Sequence, residues 1–95
     1  MITVVATIFA AKGKEDLIRE VLQRLIPPTR EEEGCIEYDL YENADAPGEF
    51  TFFEKWTSRE ALDEHLKTEH FFLAGQEQEG HIAKPTEIKV LNFIG

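Results

Sequence analysis

The chain has 95 residues, 42% of them hydrophobic and 11% aromatic, and it carries 19 acidic against 10 basic side chains for a net charge of −9. That excess of carboxylates argues against sequence-independent nucleic-acid binding and against docking on anionic membranes, both of which depend on Lys and Arg. A lone cysteine, Cys35, leaves no internal disulfide, and a chain this short buries only about 60–65% of its unfolded surface, so a homodimer is expected to supplement the core.

Residues 2–11 are rich in Val, Ile, Thr and Phe and lack charge, which reads as a first strand buried on both faces. No basic region precedes this apolar run, and it is far shorter than the ~20 residues of a membrane helix, so the expected location is cytoplasmic. After Lys12-Gly13-Lys14, the residues Leu17, Ile18, Val21, Leu22, Leu25 and Ile26 recur at helical spacing, with Glu15 and Asp16 near the positive end of the helix. Pro27-Pro28 is expected to interrupt it, with Thr29 to Glu33 continuing as a short second piece that ends at Gly34. Residues 35–42 alternate apolar and polar, and Glu49 to Thr57 carries Phe50, Phe52, Phe53 and Trp56. Both segments read as strands, joined across the turn residues Asn43 to Gly48 into an antiparallel hairpin of open register. Thr57-Ser58-Arg59-Glu60 fits a capping box opening a helix with Ala61, Leu62 and Leu66. Thr68 is placed to cap another short helix from Glu69 to the region of Gly75 or Gly80, before a last strand over Glu87–Ile94.

The order strand, helix, strand, strand, helix, strand over a single domain, residues 1–95, predicts an α+β, ferredoxin-like βαββαβ unit. Its four-stranded antiparallel sheet carries the helices on one face. Hydrophobic residues occupy both parities of the strands, so the other face needs a cover, and a second copy across a two-fold axis supplies it.

His65 falls three residues after Leu62 and four after Ala61, on the apolar stripe of its helix, where it is either a hydrogen-bonded core histidine or a proton carrier lining a pocket. His70 follows five residues later, ~140° around a continuous helix, which does not give the i, i+4 spacing of a helical zinc site. No metal is therefore expected, although a helix break at Thr68 would let the two rings converge. Glu54 shares its strand face with Phe52 and Trp56, and a carboxylate buried there is either a structural acceptor or a functional acid/base. An indole beside a carboxylate and an inward imidazole suits a pocket for a flat aromatic compound, with Tyr38 and Tyr41 as further candidates for its wall. Cys35 has no neighbouring base and reads as a buried, inert thiol, His81 stands alone near a loop, and no nucleotide, phosphate or zinc motif is present.

The segments Glu33 to Leu40, Phe53-Glu54-Lys55-Trp56 and Ala61 to Phe71 together resemble the antibiotic biosynthesis monooxygenase family, in the order Gly-Cys, Glu-x-Trp and His-x-x-x-x-His. The resemblance spans nearly the whole chain and implies a homodimeric ferredoxin-like protein, a dimeric α/β barrel. Haem-degrading members use an Asn, a Trp and a His where this chain has Ala6, His65 and Gly75; polyketide-oxidising members use an Asn and a Tyr where it has Phe52 and Leu62. The nearest likeness is to the small quinol monooxygenases and the autoinducer isomerase. It implies oxidation of a small electron-rich aromatic such as a quinol by O2 with no cofactor, with His65, His70 and Glu54 as catalytic residues and Trp56, Phe52 and Tyr38 binding the substrate. A cofactor-free isomerase and a non-catalytic quinone-binding protein are the alternatives.

Overall fold

The computed structural model describes every residue, Met1–Gly95. Its elements run β1 (Ile2–Ala10), α1 (Glu15–Arg30), β2 (Cys35–Glu42), β3 (Glu49–Trp56), α2 (Arg59–His65), α3 (Glu69–Gln78) and β4 (Ile82–Leu91). The strands form one antiparallel sheet in the order β2-β3-β1-β4, the ferredoxin-like arrangement. No helix is long and apolar enough to cross a membrane.

Alternation along the strands sorts their side chains between two faces. Val4, Ala6 and Ile8 of β1 and Phe50, Phe52, Glu54 and Trp56 of β3 are buried on the helical side, where Ile18, Val21, Leu22 and Leu25 of α1 pack over them. The opposite face is mixed rather than continuously apolar: Phe53 and Tyr41 are half exposed there beside Thr7 and Thr51, whose hydroxyls pair at 3.2 Å. The expectation that β1 is buried on both faces is thus corrected for the single chain, since Val5, Thr7 and Phe9 are only partly covered.

Two prolines do not interrupt α1, contrary to expectation. The helix runs on through Pro27 and Pro28 to Arg30 because Leu25 on one side and the fully buried Thr29 on the other anchor both flanks in the core. Glu31 to Gly34 then form a turn, not a second helical piece. Gly34 adopts φ +91°, and a Cβ there would stand 2.6 Å from the Ala61 Cβ, so only glycine lets the start of β2 pass this close to α2.

The hairpin register places Tyr38 opposite Glu54 and Leu40 opposite Phe52, with an irregularity between Cys35 and Glu37. Ser58, rather than Thr57, caps α2: its Oγ accepts from the Ala61 amide at 3.1 Å, while the Thr57 amide donates to the Gly34 carbonyl. Thr68 caps α3 as expected, accepting from the Phe71 amide at 3.3 Å and donating its hydroxyl proton to the His65 carbonyl at 2.8 Å. The last strand begins at Ile82, five residues before its expected start, and stops at Leu91 rather than Ile94. Pro85 hides its first half: the register shifts between Thr7 and Phe9 of β1, and an edge strand tolerates a proline at such an irregularity.

Candidate active site

The helices do not cover the sheet evenly. Ala6 and Val4 of β1 pair with Ile88 and Val90 of β4, which share their face, yet Ile88 is 58% and Val90 36% exposed because no helix lies over them. A cavity of about 600 Å³ opens there, floored by these strand residues and bordered by Leu62, Leu66 and Phe71 of the α2–α3 region. Tyr38, Phe52, Glu54 and His65 line its inner end, and Arg59, Asp63 and Glu79 are among its other polar residues.

Glu54 is 5% exposed and lies on the inner face of β3. Trp56, two residues along the same face and fully buried, donates its indole Nε1–H to Glu54 Oε1 at 3.0 Å. Oε2 makes no hydrogen bond within the protein. Burial pushes the carboxyl up to about 7, reinforced by the charge of Glu32 and opposed by the indole hydrogen bond. A carboxyl poised there exchanges a proton readily near neutral pH. Tyr38 stacks on Phe52 at 4.5 Å between ring centroids, and burial together with Glu54 holds its phenol well above the usual range, so the hydroxyl stays protonated.

His65 occupies the C-terminal end of α2 and is 2% exposed, its ring enclosed by Trp56 at 4.8 Å, Phe71 at 5.1 Å and Tyr38 at 5.6 Å. Its Nδ1 lies 2.8 Å from Glu32 Oε2, and His70 Nε2 approaches the same oxygen at 2.6 Å. Burial lowers the His65 pKa against the opposing hydrogen bond and charge of Glu32, favouring a neutral ring. The two histidines meet in this way because α2 ends at His65 and Thr68 starts α3, turning the chain between them.

Of the residues singled out from the sequence, Glu54, His65, Phe52 and Tyr38 open onto the cavity. Trp56 and His70 do not: the indole backs the wall and holds Glu54, and His70 lies behind His65 with its side chain 26% exposed. Tyr41 points to the opposite face of the sheet, and His81 precedes β4 outside the cavity with Nδ1 buried and unpartnered. Cys35 is half buried rather than buried, and burial pushes its thiol up to about 11, which keeps it protonated and unreactive.

Sequence reasoning missed Glu32, which sits in the acidic run Glu31-Glu32-Glu33 and reads there as one more solvated carboxylate. Glu32, His65 and His70 bring three donor atoms within 4.8 Å, a set of the kind that binds divalent metals. The 2.6 and 2.8 Å contacts fit hydrogen bonds instead, since donors around a tetrahedral zinc stand about 3.3 Å apart. Metal binding would require these side chains to spread.

The family model described as "Antibiotic biosynthesis monooxygenase" matches residues 1–78. A Mycobacterium tuberculosis protein, Rv0793, provisionally named a monooxygenase, is 37% identical over 90 residues, covering 95% of this chain and 88% of its own length. Its solved structure superposes with a TM-score of 0.93 at 35% identity, over 99% of this chain and 95% of that one. A crystal structure described as an antibiotic biosynthesis monooxygenase superposes with a TM-score of 0.94 at 30% identity over the full length of both chains. An uncharacterised Synechocystis protein is 37% identical over 94% of this chain, which spans 60% of that relative's length.

Proposed function

The chain belongs to the antibiotic biosynthesis monooxygenase family, its relatives support a monooxygenase-like role toward a small molecule, and from that premise we propose that it oxidises a small electron-rich aromatic, a quinol, with O2 and no bound cofactor. The observation that carries this reading is one apolar cavity onto which open a carboxyl titrating near neutrality, Glu54, and an imidazole whose Nε2 has no partner in the protein, His65. Phe52 and Tyr38 offer flat faces beside them, and Trp56 keeps Glu54 in place from behind.

A hydroquinone seated in the cavity gives up a phenolic proton to ionised Glu54 or to neutral His65. Its anion passes one electron to O2, and the resulting semiquinone and superoxide join at a ring carbon. The base returns its proton as this hydroperoxide loses water, leaving a hydroxyquinone. All four electrons come from the substrate, one oxygen atom stays on the ring and the other leaves as water. An apolar enclosure favours the electron transfer by keeping water from solvating the anion.

The test is oxygen uptake by the purified protein with a panel of reduced quinols and polyketide-like phenols, against the Glu54→Gln and His65→Ala proteins. Uptake above autoxidation that both variants lose supports the reading, and no uptake with any substrate sinks it. A second reading rests on the same acid/base pair: an isomerase moving a proton between carbons of a small carbonyl compound, which turns over equally fast under argon. The homodimer completes the proposal, with the outer sheet face around Phe53 and Tyr41 as its interface, and light scattering should give twice the 10.9 kDa chain mass.

A further inference from the structure

Glu32 contributes to no wall of the apolar cavity, yet its carboxylate is the one group that touches both histidines. A single oxygen, Oε2, takes both contacts, and a carboxylate oxygen only accepts. Both imidazoles must therefore donate, His65 through Nδ1–H and His70 through Nε2–H. A neutral imidazole that carries its proton on Nδ1 has its lone pair on Nε2, and His65 Nε2 is the ring nitrogen with no partner in the protein.

From this geometry we infer that Glu32 is a positioning residue for His65: it fixes the ring with its proton on Nδ1, leaves Nε2 as the basic atom, and balances the positive charge that forms when His65 takes a proton. The inference deepens the proposed function and rests on it for the identity of the reaction, but the tautomer itself is a property of the resting protein. His70 is the clamp on Glu32. With two donors on one oxygen the carboxylate cannot swing outward, although Glu32 also borders a second, solvent-facing groove lined by Glu33, Glu60 and Glu64. The remaining polar residues of the groove are Thr57, Ser58 and Thr68, so no Lys or Arg of the groove competes for Glu32. Lys67 pairs with Glu64 at 3.6 Å, and Arg30, two residues before Glu32, pairs with Asp39 at 3.0 Å.

The arrangement also explains why two histidines stand on separate helices. A single helix would direct residues five apart away from each other, and the Thr68 break brings them onto one acceptor.

The experiment is 15N NMR of the imidazole nitrogens at pH 8, where no substrate is needed, on the wild-type, Glu32→Ala and His70→Gln proteins. In the wild type, His65 should show a protonated Nδ1 and an unprotonated Nε2, with a hydrogen-bonded Nδ1 proton that exchanges slowly. Glu32→Ala should mix the two tautomers and speed that exchange by tenfold or more, whereas His70→Gln, whose amide still donates to Glu32, should keep the wild-type tautomer. A wild-type His65 protonated on Nε2, or a Glu32→Ala protein with unchanged tautomer and exchange, overturns the inference. With a turned-over quinol in hand, Glu32→Ala should lower kcat by 10- to 100-fold at nearly constant KM, and an unchanged kcat would also overturn it. Absence of turnover in the wild type speaks against the quinol reaction, while the NMR result stands on its own.

Discussion

Two carboxylates flank the same aromatic wall and are handled in opposite ways. Glu54 enters from the sheet with one indole donor and an otherwise apolar surround, so burial governs it and its carboxyl is pushed up to about 7. Glu32 enters from the turn after α1 and meets two imidazoles at 2.8 and 2.6 Å, so its neighbours are built to receive its charge. Burial with a single indole donor leaves Glu54 poised to trade a proton under the proposed function, whereas two imidazole donors on one oxygen suit Glu32 to the positioning role inferred for it.

The sharpest way to break this division is Glu54→Gln, which keeps the acceptor for Trp56 but cannot take a proton. It should lower turnover by roughly 10²- to 10⁴-fold, measured as oxygen uptake at saturating quinol. A loss similar to that from Glu32→Ala would erase the distinction between the two carboxylates.

Stability should separate the clusters next. The Glu54 pKa is raised above its unfolded value, so its contribution is fully present below about 4.5 and is lost as pH rises through about 7. Glu54→Gln should therefore gain up to about 3 kcal/mol over the wild type at pH 8 and almost nothing at pH 4, checked by urea denaturation at the two values. His65 is shifted the other way: its stabilising contribution as a neutral ring is present above its ordinary value and is lost as pH falls below it. The same denaturation series should thus show His65→Asn closing its gap to the wild type as the solution is acidified.

A smaller effect is expected from Trp56→Phe, which preserves most of the wall and removes the one donor that holds the Glu54 carboxyl down. The rising limb of the kcat/KM profile should move to higher pH, and a profile that stays in place would show that the indole does not tune Glu54. The smallest effect should come from chelation: if Glu32, His65 and His70 work through hydrogen bonds, prolonged treatment with EDTA should leave the rate unchanged.

Most of the fold was legible because its signals are local. The period-two run of β2, the helical spacing of Leu17 to Ile26 and the turn residues 43–48 each specify an element from its own residues. The misplacements arose where tertiary packing overrode a local rule, as when burial of Leu25 and Thr29 carried α1 through two prolines, or when an edge position let β4 absorb Pro85. The site divides in the same way. Glu54 and His65 could be found from the faces they share with Trp56, Leu62 and Ala61, since face is a matter of spacing. Glu32 could not, because it lies 33 positions from His65 and 38 from His70, and only the close passage at Gly34 brings its turn beside α2.

The uncovered stretch of β4 carries a further consequence. Ile88 and Val90 face the helical side of the sheet and stay exposed there, so this half of the molecule is one layer short, and under the proposed function a bound aromatic would supply it. Such a guest would be held mainly by flatness and fit against methyl groups, which carry no directional code for hydroxyl or carbonyl substituents. Under that proposal, discrimination among rings of similar outline would fall to the inner end, where Glu54 and His65 lie, and the site would admit a range of related compounds while reacting with those whose acidic proton arrives within reach.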